Sequence, residues 1–179
     1  MDINTFETIS ALGAIILQIG AFIMILLLFS KRKYTQVISD KSFIFFFGIT
    51  LLSIVGSLLY SEYYGIPACK LCWFQRILLF PQFIIIVIAW LHKEKRMLAK
   101  NILAFSLPGF VLALYQTLWQ YRIASSVGIQ CGFEDAVSCS QIHMLKFGFV
   151  TFPVVSASVF LFLIVLSVLV LLKKRKVMR

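Results

Sequence analysis

Gly65-Ile66-Pro67-Ala68-Cys69-Lys70-Leu71-Cys72-Trp73-Phe74-Gln75-Arg76 stands where one long apolar run ends and the next begins. Gly65 and Pro67 punctuate the chain before two cysteines at the spacing of a redox pair, and the run from Cys72 to Leu91 that follows is expected to be a helix. A cysteine at a helix start lies near unpaired backbone N–H groups and the positive end of the helix dipole, which favour its thiolate. The thiolate is the form that exchanges disulfides.

Outward from this junction the chain is a series of apolar runs. Of its 179 residues 61% are hydrophobic and 13% charged, a composition of membrane proteins rather than of soluble domains. Ile9–Phe29 is long enough, at about 1.5 Å per residue, to cross a hydrocarbon core of about 30 Å. It reads as a transmembrane helix rather than a cleaved signal peptide: the leader holds Asp2 and Glu7 with no Lys or Arg, and the run is too long for an h-region. Further runs follow at Phe43–Tyr60, with Gly48 and Gly56 as close-packing points, at Cys72–Leu91, at Leu98–Trp119 and at Phe149–Leu172. Pro81 is expected to kink the third run, and Pro108-Gly109 reads as a break in the fourth. Ser61 to Gly65 is expected as an interfacial turn whose tyrosines join the aromatic belt. The fold class is therefore an all-α integral membrane protein: a four-helix transmembrane bundle over residues 43–179, preceded in residues 1–42 by one additional N-terminal transmembrane helix and a basic loop.

The net charge of +10 would suggest nucleic acid in a soluble protein, but here Lys and Arg cluster between apolar runs, so no nucleic-acid role is expected. With the N-terminus outside and the C-terminus in the cytoplasm, thirteen Lys and Arg lie inside, in three segments of four, four and five. Only Lys70, Arg76, Arg122 and Lys146 then lie outside, which satisfies the positive-inside rule. The longest polar stretch, Gln120 to Phe147, becomes an external loop carrying Cys131 and Cys139.

All four cysteines thus fall on the extracytoplasmic face, where thiols are oxidised, cycling or metal-bound. If they cycle, the electrons need an exit. A haem relay would want axial histidines in the helices, whereas His92 is in a cytoplasmic loop and His143 in the outer one. The remaining simple acceptor is a lipid-soluble quinone diffusing in the bilayer. Arg76, one helical turn past Cys72 and about 6 Å deeper, could stabilise a thiolate and the negative charge developing on a quinone oxygen, or it could snorkel to the headgroups. Trp73 and Phe74 could form the flat wall a quinone ring packs on, or belong to the aromatic belt. The Cys131/Cys139 pair, flanked by Gly128 and Gly132, reads as a labile entry port, with a structural staple as the alternative. A zinc site drawing on His143 is disfavoured in an oxidising compartment, and no metal is expected.

Cys69-x-Leu71-Cys72-Trp73-x-Gln75-Arg76-Ile77-x-x-x-Pro81 resembles the signature of the DsbB family of membrane disulfide-forming oxidoreductases, particularly its BdbC-like, Gram-positive branch. The second pair with Phe147-Gly148-Phe149-x-Thr151-x-Pro153 is similar to that branch's outer loop and last helix, so the resemblance covers about Phe43 to Leu172. The resemblance implies a bundle in the bacterial plasma membrane with a quinone, menaquinone rather than ubiquinone in a Gram-positive host, bound beside the C-x-x-C helix. It also implies a DsbA- or BdbD-like thioredoxin-fold thiol oxidase as partner. By that resemblance Cys131 forms the mixed disulfide with the partner, Cys139 is its mate, and Cys69 and Cys72 receive the electrons, with Cys72 facing the quinone. Arg76 matches the quinone-site arginine, and Trp73 and Gln75 are counted with it as cofactor-binding residues. Two features depart from the pattern: the helix Ile9–Phe29 is additional, and Gln116 stands where relatives of this branch often carry His.

A VKOR-type enzyme is the nearest rival in chemistry, but there the loop cysteines precede the C-x-x-C, and here the order is reversed. A non-enzymatic membrane assembly factor with stapled external loops is the rival of a different class.

Overall fold

A computed structural model describes residues 2–30, 39, 41–121 and 144–172. Among these, five helices are long and apolar enough to cross a membrane. They are α1 (Ile3–Ser30), α2 (Ser42–Leu58), α3 (Lys70–His92), α4 (Lys95–Gln120) and α5 (Phe152–Leu172), so the expected all-α architecture of five spans is observed. The helices overrun the apolar runs at most ends. Hydropathy marks only the lipid-length portion, while backbone hydrogen bonding continues into polar flanks: α1 starts at Ile3, and Lys95, Arg96 and Lys100 lie in the first turns of α4. Between α3 and α4 only Lys93 and Glu94 remain. Lys93 adopts a left-handed conformation, φ 56°, and Glu94 N–H closes α3 on the Ala89 carbonyl at 3.0 Å. So short a link makes α3 and α4 antiparallel neighbours.

α5 is the central helix. Phe160, Leu163, Leu166 and Leu169 are buried along it, in one core with Phe46 of α2, Ile86 of α3 and Leu98 and Ile102 of α4. α1 packs chiefly on α5. Because lipid is as apolar as leucine, such helices associate through close packing and polar pairs. The Gln82 amide oxygen accepts from Ser106 Oγ at 3.3 Å, joining α3 to α4, and Gln18 Nε2 donates to Ser158 Oγ at 2.8 Å, joining α1 to α5. Outward faces are apolar and exposed, as at Ile16, Ile44, Leu52, Ile84 and Val111.

The expected break at Pro108-Gly109 is not found: α4 runs continuously through both residues. The missing proline donor costs a single backbone bond, and Gly109 instead makes a close approach to α5, where the Phe160 ring covers the space a Cβ would fill. Nor do Gly48 and Gly56 mark helix contacts. Nothing lies within 4 Å of a Cβ placed on Gly48, and only Phe6 Cζ, at 4.0 Å, approaches one on Gly56. The expected interfacial turn begins later than Ser61, because α2 continues through a wide π-helical turn, Leu59–Tyr63, before Gly65 reverses the chain at φ +66°.

Candidate functional site

The π-helical turn and Gly65 lead Ile66-Pro67-Ala68 without regular structure to Cys69, whose extended backbone, φ −67° and ψ 167°, makes it the N-cap of α3. Cap positions usually carry a side-chain oxygen that accepts a hydrogen bond from the first turn. Here the sulfur takes that place: Cys72 N–H donates to Cys69 Sγ at 3.4 Å. A thiolate accepts better than a thiol, so the cap favours the ionised form. Cys69 is buried, Cys72 half-buried, and their sulfurs stand 2.9 Å apart on the first turn of the helix.

α4 supplies the groups behind the sulfurs. Gln116 Nε2 donates to Cys69 Sγ at 3.2 Å and approaches Cys72 Sγ at 3.5 Å. Its Oε1 accepts from Gln75 Nε2 at 2.8 Å, and both glutamines are buried. That bond sets the amide's orientation, since Gln75 presents a donor and so turns Gln116 oxygen toward itself and nitrogen toward the sulfurs. In the sequence Gln116 stood only as a departure from histidine. A polar amide in the outer half of an apolar run was the signal that it needed a partner.

Arg76 is buried, not extended to the exterior as snorkelling would require. Its Nε donates to Ser57 Oγ and its Nη2 to the Ser57 carbonyl, each at 2.8 Å, which fixes the guanidinium against α2. The guanidinium also lies 5.3 Å from the centroid of the Trp73 ring. Among the described residues no carboxylate pairs with Arg76, so its charge acts on whatever shares its surroundings.

Those surroundings are a cavity of about 580 Å³, lined mainly by apolar side chains of α1, α2, α3 and α5. Cys69, Cys72, Gln75, Arg76, Gln116 and Tyr60 all contribute to its wall. Ile9 and Ile16 of α1 and Leu52 and Val55 of α2 line it too and are exposed on the outer surface, so its mouth opens sideways, between α1 and α2, onto the lipid-facing side. Trp73 and Phe74 are exposed and do not line the cavity. Trp73 touches the site only through Arg76.

The family described as Disulfide bond formation protein DsbB matches residues 39–170. The chain belongs to the DsbB family. A probable disulfide formation protein of Oceanobacillus iheyensis is 34% identical over 128 residues, covering 67% of this chain and 81% of the relative. The SPbeta prophage-derived disulfide bond formation protein B of Bacillus subtilis is 30% identical, covering 75% and 88%. A probable disulfide formation protein C of Halalkalibacterium halodurans is 31% identical, covering 69% and 88%. No solved structure matches the chain. This DsbB-family member is thus a multi-pass membrane protein of disulfide bond formation, of the Gram-positive type, and α1 precedes the region shared with the family.

Of the residues singled out in this DsbB-family sequence, the structure brings Cys69, Cys72, Gln75 and Arg76 together on one cavity. Cys131, Cys139 and His143 lie outside the described residues. Among the described residues no three His, Cys, Asp or Glu side chains gather as metal ligands.

Proposed function

We propose that this DsbB-family chain is a thiol:quinone oxidoreductase of the bacterial plasma membrane that reoxidises an extracytoplasmic, DsbA- or BdbD-like thioredoxin-fold thiol oxidase. Residues 43–179 form its redox domain and residues 1–42 an appended helix and loop. The observation that carries the reading is a cysteine pair, at disulfide-forming distance, in the wall of a lipid-facing apolar cavity. A quinone fits such a site chemically. Its ring and isoprenoid tail suit the apolar lining, and its carbonyl oxygens suit the buried guanidinium of Arg76 and the Tyr60 hydroxyl, which is buried with no hydrogen-bond partner among the described residues.

In this reading the partner's dithiol reduces the Cys131–Cys139 disulfide by exchange, and the resulting dithiol reduces the Cys69–Cys72 disulfide in the same way. When bound, the quinone, menaquinone in a Gram-positive host, accepts two electrons and two protons as the thiols of Cys69 and Cys72 re-form their S–S bond. Gln116 holds negative charge on sulfur through its amide N–H. Gln75 keeps that amide turned the right way. Arg76, anchored on Ser57, supplies positive charge beside Cys72, where electrons leave the protein.

Purified protein, supplied with a reduced thioredoxin-fold oxidase, is expected to reduce a menaquinone analogue with matching oxidation of the partner's thiols. Cys72→Ser abolishes this turnover. Arg76→Ala raises the quinone KM by about 10- to 100-fold, the loss of charge-assisted contacts of about 1.5–3 kcal/mol. Absence of quinone reduction by the wild-type protein would return the chain to the reading of an assembly factor with stapled loops.

A further inference from the structure

We propose that α1, the helix outside the family match, forms one wall of the quinone site, and that the Tyr60 hydroxyl is the donor that anchors the ring there. The inference rests on the quinone reading above and deepens it by assigning to the site a helix the family match does not reach, together with Tyr60 inside the match.

Along α1, Phe6, Ile9, Gly13, Ala14, Ile16 and Leu17 line the cavity, a helical spacing that brings most of them to one face. The helix is held from behind. Near its start Lys146 Nζ sits 3.3 Å from Glu7 Oε2 and donates to Asn4 Oδ1 at 2.9 Å. Farther along, Gln18 bonds Ser158, and the Phe162 ring lies 3.1 Å from a Cβ placed on Gly20. Toward α2, in contrast, the space is open. A Cβ on Gly13 meets nothing within 4 Å, and one on Gly56 in α2 meets only Phe6 Cζ. α1 is therefore fixed on α5 with a gap kept on its other side, and that gap is the cavity's mouth.

Tyr60 supplies the second, independent observation. It lines the cavity at 8% exposure, and its hydroxyl has no hydrogen-bond partner among the described residues. The ring is clamped by Phe152, at 3.8 Å between centroids, and by Phe6 of α1 at 6.3 Å. A buried hydroxyl left unpaired calls for an acceptor from a ligand, and a quinone carbonyl is one. A phospholipid acyl chain, which has no acceptor along its length, would leave the hydroxyl unsatisfied.

The test uses the full chain in detergent, with menadione as a tail-less probe and menaquinone-4 as a tailed one. Binding is read from quenching of tryptophan fluorescence, and turnover from quinone reduction with dithiothreitol as electron donor. Gly13→Phe, which grows into open space, is expected to weaken menaquinone-4 binding at least tenfold and raise its KM in step, with kcat within twofold of wild type. Gly13→Leu falls between. Tyr60→Phe weakens both probes about five- to tenfold. Ile19→Phe, on the exposed face of α1 away from the cavity, behaves as wild type. Unchanged binding in Gly13→Phe, as expected if an acyl chain fills the cavity and quinone sits elsewhere, overturns the inference. So does equal weakening by Ile19→Phe. Should Gly13→Phe lose its thermal transition, Gly13→Leu and Tyr60→Phe decide the matter. A wild-type protein that neither binds nor reduces either probe refutes the quinone reading itself, an outcome distinct from normal binding that ignores α1.

Discussion

At the residue level, the direction of one amide governs the charge the sulfurs can carry. Gln116 turns its nitrogen to Cys69 because Gln75, forty-one positions earlier, occupies its oxygen. Gln116→Leu removes the donor and should move the midpoint of thiol alkylation by iodoacetamide, measured on the reduced protein, upward by about one pH unit. That is the low end of a hydrogen bond to a charged group, about 1.5 kcal/mol. The sign follows from which form the donor favours: losing it destabilises the thiolate, so more alkaline pH is needed to ionise the thiol. Gln75→Leu should shift the midpoint in the same direction by less, since Gln116 stays but becomes able to rotate. A larger shift from Gln75 than from Gln116 would contradict the relay. Arg76→Lys keeps a point charge but loses the fork that spans the Ser57 hydroxyl and carbonyl, and its quinone KM should fall between wild type and Arg76→Ala. Cys69, Cys72 and Arg76 were legible from local spacing. The Gln75–Gln116 contact was not, because it joins two apolar runs and nothing in either run specifies which residues face one another.

Among the elements, the tightest seat at any described glycine lies at the α4–α5 crossing. A Cβ on Gly109 would stand 2.5 Å from Phe160 Cζ. Gly109→Val should therefore destabilise the bundle by about 1–3 kcal/mol, as overpacking does, seen as a lower thermal transition in detergent. Trimming the opposing ring with Phe160→Leu in the same chain should recover part of the loss. If Gly109→Val leaves the transition unmoved, the crossing is looser than described. The number and order of helices could be read from sequence because each apolar run is long and bounded by charge. Their facing sides could not. A helix apolar all round carries no stripe that points to its partner, so Pro108-Gly109 looked like a break when Gly109 serves as a seat for an aromatic ring. The Lys93-Glu94 link was likewise hidden, since basic residues flanking a span read the same whether they lie in a loop or in the helix's first turn.

For the whole molecule, the distribution of Lys and Arg, thirteen against four, predicts which ends face outward. In a cysteine-less background, a cysteine at Glu62 should react with a membrane-impermeant maleimide in intact cells, and one at Glu94 only after permeabilisation. The reverse pattern would invert the topology and put Cys69 and Cys72 in a reducing compartment. Global architecture was thus the most legible level, while the cavity, which five helices enclose together, was legible nowhere in the sequence. The central place of α5 also has a consequence for biogenesis. Within the helices' apolar windows, 56% of α5 is buried against 22% of α1, yet α5 is the last of these five spans to be synthesised. α1, whose main partner it is, leaves the ribosome more than a hundred residues earlier, an interval on the order of ten seconds at roughly 5–20 residues per second. In the nascent protein α1 must therefore wait in the bilayer without its main partner until α5 arrives. A chain cut short before Phe152 would lack the helix on which α1 chiefly packs, a substrate for membrane proteases rather than a partly working enzyme.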